Sequence, residues 1–325
     1  MPTTTNETNG TGRAATFTSR TIGVEVEFVG TTRAVVSRAL AAVGIVANDE
    51  GYNHRVPTAG AWKLVTDGSV RDSRNGSFGG ELVSPVLSGL DGLRTLRLVL
   101  RTIAAAGATV NATCGLHVHV GASDLSGVEA ARLVLEWEAA EDLGVRGALA
   151  PSRRDPAFDG ACYYAKRTDP MTIAIAKAVL AGTRTASSVA DLTAPDRYRG
   201  LNVHAFGRYG TVEFRSHQGS VDADKVAAWV VLAVRLVEAA KDGGIRRSGR
   251  RASRGSAEGR FLNLLVRVGL RAYARDGYAV VDPILSWAGA YLNARRAHFA
   301  GEAVPAVRRS IARLLGDAET VAIAA

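Results

Sequence analysis

Three short stretches of the sequence alternate between apolar residues and polar residues with chemically active side chains. They read IGVEVEF from Ile22 to Phe28, LHVHV from Leu116 to Val120, and TVEFRSH from Thr211 to His217. Successive side chains of a β-strand point to opposite faces, so each stretch predicts a strand with an apolar back and a polar front. If the three strands lie in one sheet, we expect their polar fronts to converge on a single surface.

The last of these stretches carries the most varied set of polar groups. Alternation places Glu213, Arg215 and His217 together on its polar face. A solvated edge strand with an incidental ion pair is the plainer interpretation of this stretch by itself. Because similar alternation recurs in the other two stretches, we favour a convergent polar site.

The segment before this strand predicts a hairpin. Leu201 to Phe206 and Thr211 to His217 flank the four-residue stretch Gly207 to Gly210, which has the composition of a hairpin loop. Asn202 and His204 would then share a face next to the polar face of the following strand.

The rest of the sequence predicts helices interleaved with short strands. Further strands are expected at residues 61–66 and 81–85, and helices at 32–43, 90–106, from 124 or 126 to about 143, at 169–181, and at 222–241 with Ser220 as the cap. The strands form hairpins and lack the long apolar runs of parallel sheets. We therefore expect an α+β fold in which helices pack on the apolar back of an antiparallel sheet.

Composition divides the chain into three parts. Residues 1–20 are rich in Thr, Asn and Gly, lack the apolar core of a signal peptide and predict a disordered lead-in. Residues 21–241 carry the predicted strands and form the expected main domain. Residues 242–325 begin with a Gly-, Ser- and Arg-rich segment, which predicts a basic linker followed by a helical extension. Within the main domain, Gly144 to Arg167 is a long irregular segment of the kind that often forms a lid or binding element.

The charge of the chain is unevenly distributed. The 325 residues carry a net charge of +9, with 15 basic and 7 acidic residues from Lys241 onward but 25 and 24 before it. This distribution argues against a nucleic-acid groove across the sheet. The apolar run Val226 to Ala240 is shorter than the roughly 20 residues of a membrane span. Cys114 and Cys162 form no CxxC motif, which argues against a zinc ribbon or a disulfide framework and favours a cytoplasmic location.

The predicted polar surface contains several metal-ligand types. Glu25 and Glu27 are hard oxygen ligands on one strand face, and Glu81 can add a third carboxylate. His117 and His119 form an HxH pattern that is also typical of zinc hydrolases. A carboxylate-rich surface with one imidazole suits Mg²⁺ or Mn²⁺ better than zinc. Solvated glutamates and a structural histidine pair are the plainer alternatives.

A phosphate-binding group accompanies these ligands. Arg215 beside Glu213 is the residue type that binds phosphate oxygens. Cations held by carboxylates and facing an arginine are what phosphoryl transfer requires, because both neutralise charge on the phosphates. The sequence contains no Walker A motif, so a nucleotide would be held by the sheet surface and the metals.

Five motifs in order give the sequence a family resemblance. IGVEVEF, the DGS turn, GGELVSP, CGLHVHV and the final RYRGLNVHAFGRYGTVEFRSHQGSVDADKVAAWV together resemble the amidoligases. These are ATP-dependent carboxylate-amine ligases related to glutamine synthetase and glutamate-cysteine ligase. The resemblance covers about residues 21–241 and implies a glutamine synthetase-like catalytic domain whose curved antiparallel sheet forms a funnel. ATP would enter one end of the funnel, and the acid and the amine the other.

The resemblance implies two or more bound cations, Mg²⁺ or Mn²⁺. One cation, nearer the phosphates, would be held by Glu25, His117 and Glu213, and Glu213 would also take part in catalysis. A second cation, nearer the substrate carboxylate, would be held by Glu27 and Glu81.

The resemblance also implies contacts with ATP and the substrates. Arg215 would stabilise the transferred phosphoryl group, and His119 would lie near the nucleotide. Asp67, Asn202 and Arg199 are candidates for recognition of the amine or the carboxylate. Among them, Asp67 would also take part in catalysis, and Asn202 and Arg199 would also contact the cofactor ATP.

The implied reaction has two steps. ATP phosphorylates the carboxylate of a small molecule or peptide, and an amine then displaces phosphate from the acyl phosphate to form an amide or isopeptide bond. Two alternatives stay open at this point. One is a metal-dependent hydrolase that uses the histidines and carboxylates. The other is a protein whose basic C-terminal region binds nucleic acid or an anionic polymer while the sheet carries a degenerate site.

Overall fold

The structure is a computed structural model that describes residues 17, 19–53, 60–72, 79–154, 167–193, 198–241, 256–271, 282–307 and 311–316. Most of the predicted lead-in lies outside these residues, as do residues 155–166 of the irregular segment and residues 242–255 of the predicted basic linker. Arg20, at the end of the predicted lead-in, makes ion pairs with Asp124 and Glu238 and is thereby anchored to the fold. The division of the chain into three domains stays a prediction.

Eight strands of the described residues form one open sheet, and the α+β prediction is confirmed. Their bounds are β1 Thr21–Phe28, β2 Ala47–Asp49, β3 Trp62–Val65, β4 Gly80–Val83, β5 Leu87–Ser88, β6 Gly115–Gly121, β7 Leu201–Asn202 and β8 Thr211–Gln218. The order across the sheet is β2-β3-β4-β1-β6-β8-β7, with β5 paired to β1. The β2–β3 pair is parallel and the other pairs are antiparallel. The central strands β4, β1, β6 and β8 lie side by side.

The helices predicted at 32–43, 90–106, from 124 or 126 to about 143, at 169–181 and at 222–241 each begin within a few residues of the predicted position. The bounds are α1 Arg33–Ala42, α2 Gly89–Ala105, α3 Gly127–Leu143, α4 Pro170–Leu180, α5 Ala205–Tyr209, α6 Ala223–Lys241, α7 Ala257–Arg267, α8 Pro283–Ala300 and α9 Ile311–Leu315. Ser126 and Glu129 form a capping box at the start of α3. Asp222, rather than the predicted Ser220, caps α6, because its Oδ1 accepts hydrogen bonds from the backbone of Asp224 and Lys225.

One apolar cluster fills the space between the back of the sheet and helices α2, α3 and α6. The strands contribute back-facing residues such as Val26, Val118 and Phe214, which are fully buried. Trp137 of α3 lies against Phe214, with ring centroids 5.0 Å apart, and against Trp229 of α6 at 6.3 Å. Residues of α7 and α8 belong to the same cluster. No helix in the described part of the chain combines the length and the apolar character needed to cross a membrane.

The connection into β8 differs from the predicted hairpin loop. β7 contains only Leu201 and Asn202, which pair with β8. The chain then enters α5, so a short helix rather than a four-residue loop joins the two strands. His204 lies at the start of α5 in a helical conformation, and the prediction that it shares a strand face with Asn202 is wrong. The short strands β2 and β5 have no counterpart in the sequence-based prediction.

A bulge in β8 reverses the predicted orientation of His217. In the β6–β8 ladder Val118 lies opposite Phe214 and Leu116 lies opposite His217, so one residue of β6 faces two residues of β8. The additional residue shifts the alternation, and the His217 ring packs 4.7 Å from the ring of Trp229 behind the sheet. The prediction that His217 lies on the polar face of β8 is therefore wrong.

Candidate active site

The front of the sheet collects polar side chains from β4, β1, β6 and β8. Antiparallel pairing places the following residues opposite one another: Glu25 and His117, Glu27 and Glu81, His119 and Glu213. Residues that face each other in this way point to the same side of a sheet. The structure thus brings the predicted metal ligands together on one face.

We call the first part of this face the basic half and define it as Glu25, His117, His119, Glu213 and Arg215. His117 Nδ1 lies 2.9 Å from Glu25 Oε2, and His119 Nε2 lies 3.2 Å from Glu25 Oε1. Glu213 Oε1 lies 3.6 Å from His117 Nδ1 and 3.8 Å from His119 Nε2. The same oxygen accepts a hydrogen bond from Arg215. Each carboxylate of the basic half therefore faces cations or potential cations of the protein itself.

Neighbouring side chains hold two members of the basic half in place. Asn202 Nδ2 donates to Glu213 Oε2 at 2.7 Å, and its own Oδ1 accepts from the backbone N–H of His204 at 2.9 Å. On the other side, His119 Nδ1 lies 3.1 Å from Thr211 Oγ1. Because these contacts hold Glu213 Oε2 and His119 Nδ1, the other polar atoms of the two side chains, Glu213 Oε1 and His119 Nε2, point toward the centre of the face.

The second part of the face, the acidic half, consists of Glu27, Asp67 and Glu81. One oxygen from each of the three carboxylates lies within 4.8 Å of the others. Asp67 opens the predicted DGS turn, where its Oδ1 accepts from the backbone N–H of Ser69 at 2.6 Å. Glu27 Oε2 accepts from the backbone N–H of Gly115 at 2.6 Å. Glu27 Oε1 is buried and accepts no hydrogen bond within the described residues.

The carboxylates of the basic half favour the charged form. Burial raises the pKa of Glu25, but hydrogen bonds with His117 and His119 hold it well below its usual value. Burial acts in the same direction on Glu213, yet the charges of Arg215 and His119 lower its pKa overall. Burial lowers the pKa of His119, whereas Glu213 and Glu25 raise it above the usual value. Opposite charges thus stabilise one another in this half.

The two glutamates of the acidic half favour the protonated form. Burial raises the pKa of Glu81 well above its usual value, and the charges of Glu25, Glu27 and Asp67 raise it further. Burial also raises the pKa of Glu27, with Asp67 adding to the effect and His117 offsetting part of it. This half therefore concentrates buried negative charge that the surrounding protein compensates only in part.

The residues predicted for the two cation sites lie within these two halves, but none of the ligand groups found among the described residues combines Glu25, His117 and Glu213 as predicted. Among the described residues, three groups have ligand atoms within 4.8 Å of one another: Glu25, Glu81 and His117; Glu25, His119 and Glu213; Glu27, Asp67 and Glu81. His119 thus lies as close to Glu25 and Glu213 as a metal ligand would, in addition to its predicted place near the nucleotide. Asp67 joins the predicted pair Glu27 and Glu81. The individual roles of these residues stay predictions.

Arg199 occupies a different environment from the other predicted residues. Its guanidinium lies 3.3 Å from Asp169, the residue that caps the start of α4. Asn202, only three positions later, contacts Glu213 directly. The predicted contact of Arg199 with the nucleotide or substrate stays a prediction.

The described start of the irregular segment packs against the start of β6 and the end of β8. The fully buried Arg153 donates to a backbone oxygen just before β6, and the backbone N–H of Ala150 donates to Gln218 Oε1 at 3.0 Å. The charge of Arg153 also offsets a small part of the rise in the pKa of Glu27. No motif marks Arg153 in the sequence, and the only signal for it is the prediction that its segment forms a binding element.

The comparisons with known proteins concern the same part of the chain. A comparison with curated proteins finds no match. The model of a family described as "putative amidoligase enzyme" matches residues 18–237, a segment that contains the whole sheet and both halves of its polar face. Because this segment is well over half of the chain, the protein belongs to the amidoligase family.

Proposed function

We propose that this protein is an ATP-dependent carboxylate-amine ligase that forms an amide or isopeptide bond. The observation that carries the proposal is the presence of two unlike groups on one sheet face, a basic half around Arg215 and an acidic half of three carboxylates. Phosphoryl transfer uses a cationic side chain for the phosphate oxygens and carboxylates for divalent cations. Family membership supports the same class of reaction. The proposal includes a glutamine synthetase-like fold in which this face lines a funnel.

The donor set fits Mg²⁺ or Mn²⁺. The three ligand groups contain at most one histidine each and are otherwise carboxylates. Zinc hydrolases of the common types use two or three histidines, whereas hard oxygen ligands suit Mg²⁺ and Mn²⁺. The buried Glu27 Oε1, which accepts no hydrogen bond within the described residues, is a further indication that the acidic half binds a cation. When bound, such cations neutralise charge on the phosphate oxygens.

In the first step of the proposed reaction, an oxygen of the substrate carboxylate forms a bond to the γ-phosphorus of ATP, and ADP leaves. Arg215 donates hydrogen bonds to the oxygens of the transferring phosphoryl group, where negative charge must be stabilised. Glu213 keeps the guanidinium of Arg215 in position, and Asn202 in turn holds Glu213. The protein thus contributes orientation and charge stabilisation.

In the second step, the amine nitrogen attacks the carbonyl carbon of the acyl phosphate. The C–O bond to phosphate breaks, inorganic phosphate leaves, and the nitrogen gives up a proton. Asp67 is our candidate for binding the amine and accepting this proton, because it lies at the edge of the acidic half on a turn. The substrates are a small-molecule or peptide carboxylate and an amine.

The test combines ATP binding with turnover. Hydroxylamine serves as the amine, because it converts an acyl phosphate into a hydroxamate, and a panel of amino acids and short peptides supplies the carboxylate. We expect Mg²⁺-dependent ATP binding, and ADP and phosphate release that needs both acid and amine. Arg215→Ala and Glu213→Gln should lose this release, whereas Arg94→Ala, on α2 behind the sheet, should keep it. Absence of Mg²⁺-dependent ATP binding by the wild-type protein, or full turnover by Arg215→Ala, would overturn the proposal.

The two alternatives predict other results in the same experiments. A hydrolase that uses His117 and His119 would retain about one zinc ion after purification without added metal and would need no ATP. A nucleic-acid-binding protein would show binding that weakens steeply with salt. Metal analysis and a salt titration with duplex DNA therefore separate these functions from the proposed ligase.

A further inference from the structure

A tyrosine of the β7–β8 connection lies at the rim of the basic half. Tyr209, the last residue of α5, meets His119 edge to face, with ring centroids 5.8 Å apart and an interplanar angle of 87°. The guanidinium of the exposed Arg208 lies 5.1 Å from the centre of the Tyr209 ring. Tyr209 is 41% exposed, which sets it apart from the buried aromatic residues behind the sheet.

The backbone after Tyr209 fixes the position of this ring. Gly210 has a φ of 66°, in the left-handed region that favours glycine, and its N–H donates to Phe206 at 2.9 Å. The Gly210 carbonyl accepts from the backbone N–H of Ala122 at 2.9 Å and from Ser123 Oγ at 3.2 Å. An added Cβ at Gly210 would lie 2.4 Å from Ser123 Oγ, so a larger residue would displace this hydroxyl from its contact with the Gly210 carbonyl. The connection is therefore tied to the end of β6.

The position of Tyr209 next to His119 is suited to contact with the base of a nucleotide. Its ring touches His119, and His119 belongs with Glu25 and Glu213 to one of the candidate cation groups. A nucleoside triphosphate whose phosphates lie over the basic half extends from there by the length of a ribose and a base. Aromatic side chains bind bases by stacking, and a guanidinium over the ring adds a cationic group that stacks well and contacts phosphate or ribose oxygens.

We propose that Tyr209 and Arg208 form the subsite for the base of the nucleotide, with Tyr209 as the stacking surface. This inference rests on the proposed function, since it assigns the nucleoside end of the same ATP molecule. It also fixes the direction of the nucleotide on the sheet, with the base at α5 beyond β8 and the phosphates toward β6 and β1. The acidic half is then left for the carboxylate and the amine.

The experiment compares two ligands that share three linked phosphates, one with the nucleoside attached and one without it. Titration calorimetry measures the dissociation constants of ATP and of inorganic tripolyphosphate, each with Mg²⁺, for the wild-type protein and for Tyr209→Ala. We expect the substitution to weaken ATP binding by about fivefold to hundredfold, the range observed for loss of a stacked base, and to leave tripolyphosphate binding unchanged. Tyr209→Phe keeps the ring and should bind ATP like the wild-type protein.

Two further variants serve as controls for this comparison. Tyr209→Leu retains apolar bulk for folding but lacks the aromatic ring, so it should behave like Tyr209→Ala. Tyr52→Ala removes another exposed tyrosine, which follows β2 at the opposite edge of the sheet and is 81% exposed, and it should change neither affinity.

The outcomes separate this inference from the proposed function. Unchanged ATP affinity in both Tyr209→Ala and Tyr209→Leu would overturn the inference and leave the ligase proposal standing. Equal weakening of ATP and tripolyphosphate would also overturn it, because Tyr209 would then act through His119 on the phosphate site. A wild-type protein that binds tripolyphosphate and ATP equally well contradicts any base subsite. A wild-type protein that binds neither ligand contradicts the proposed function itself.

Discussion

The two halves of the polar face differ in the origin of the positive charge that balances their carboxylates. In the basic half, His117, His119 and Arg215 lie against Glu25 and Glu213, and the pKa values of both carboxyl groups are lowered. In the acidic half, the pKa values of the two glutamates are raised by burial and by repulsion from neighbouring carboxylates. Buried carboxylates of like charge destabilise a fold unless they are protonated or bound to a cation. We infer that the acidic half depends on a bound cation for its charge balance, whereas in the basic half the protein itself supplies part of the positive charge.

The largest effect on activity is expected from removing the guanidinium group of Arg215 from the basic half. Arg215→Ala should reduce kcat for ADP release by about 10³-fold or more, the range found when an arginine that stabilises a transferring phosphoryl group is lost. Arg215→Lys keeps the charge but not the planar fork of donors, so it should recover only part of the rate. Steady-state kinetics of ADP release measure both. Equal rates for Arg215→Ala and the wild-type protein would mean that the basic half takes no part in phosphoryl transfer.

The next prediction compares the two halves directly. Glu81→Gln replaces a buried carboxyl group that is costly to ionise among other carboxylates with a neutral amide, so it should raise the melting temperature of the metal-free protein. Glu213→Gln weakens the contact with Arg215 and should lower the free energy of unfolding by about 1–3 kcal/mol. Glu81→Gln should also abolish most of the stabilisation that Mg²⁺ gives to the wild-type protein.

Thermal denaturation with EDTA and with Mg²⁺ tests these opposite signs. Glu129→Gln, which affects the exposed capping box of α3, controls for the loss of a carboxylate far from the site. If Glu81→Gln and Glu213→Gln destabilise the metal-free protein equally, the two halves do not differ in the way inferred from their geometry.

Sequence alternation predicts which residues share the polar face, because alternation follows from the strand conformation itself. The ExE and HxH patterns place Glu25, Glu27, His117 and His119 on one face whichever residues surround them. His217 shows where this reasoning ends. The bulge within the β6–β8 ladder has no mark in the sequence, and it turns the His217 ring toward Trp229 behind the sheet.

The same limit applies to contacts that depend on the folding of distant segments. Residues 205–209 contain a glycine and follow a short strand, so local propensity favours a loop, whereas in the structure they form α5. Arg153 reaches the start of β6 from a segment without regular pattern, through contacts that no local rule predicts. Asp67 is an intermediate case, because its turn is readable in the sequence but its approach to Glu27 and Glu81 is not.

The pH dependence of stability contains a contribution from His217, the histidine behind the sheet, which must be separated from that of the polar face. Burial lowers the pKa of His217 from 6.5 to about 3, and nearby positive charges of Arg295, Lys225 and Arg153 add to the shift. Between these two values the unfolded chain binds a proton that the folded protein does not, so stability is complete above pH 6.5 and falls as the pH decreases toward 3. At pH 5 the expected loss from this group is about 2 kcal/mol.

Urea denaturation between pH 5 and pH 7.5 measures this loss. His217→Gln should show a shallower dependence of the unfolding free energy on pH, while the exposed His298→Gln should retain the slope of the wild-type protein. Parallel slopes for all three proteins would show that His217 is not held neutral behind the sheet.

The smallest effect is expected at Thr211, which touches the basic half only through His119. Its Oγ1 lies 3.1 Å from His119 Nδ1, and a hydrogen bond at that atom directs Nε2 toward Glu25 and Glu213. Side chains that orient a metal ligand in this way change metal affinity by about 10- to 100-fold when removed, and we expect the lower end because the His119 ring also packs against Tyr209. Thr211→Val should therefore weaken Mn²⁺ binding about tenfold, and Thr211→Ser should restore it. Mn²⁺ affinity measured by electron paramagnetic resonance decides the point, because a purely structural role for Thr211 would lower the melting temperature of the valine variant without changing its Mn²⁺ affinity.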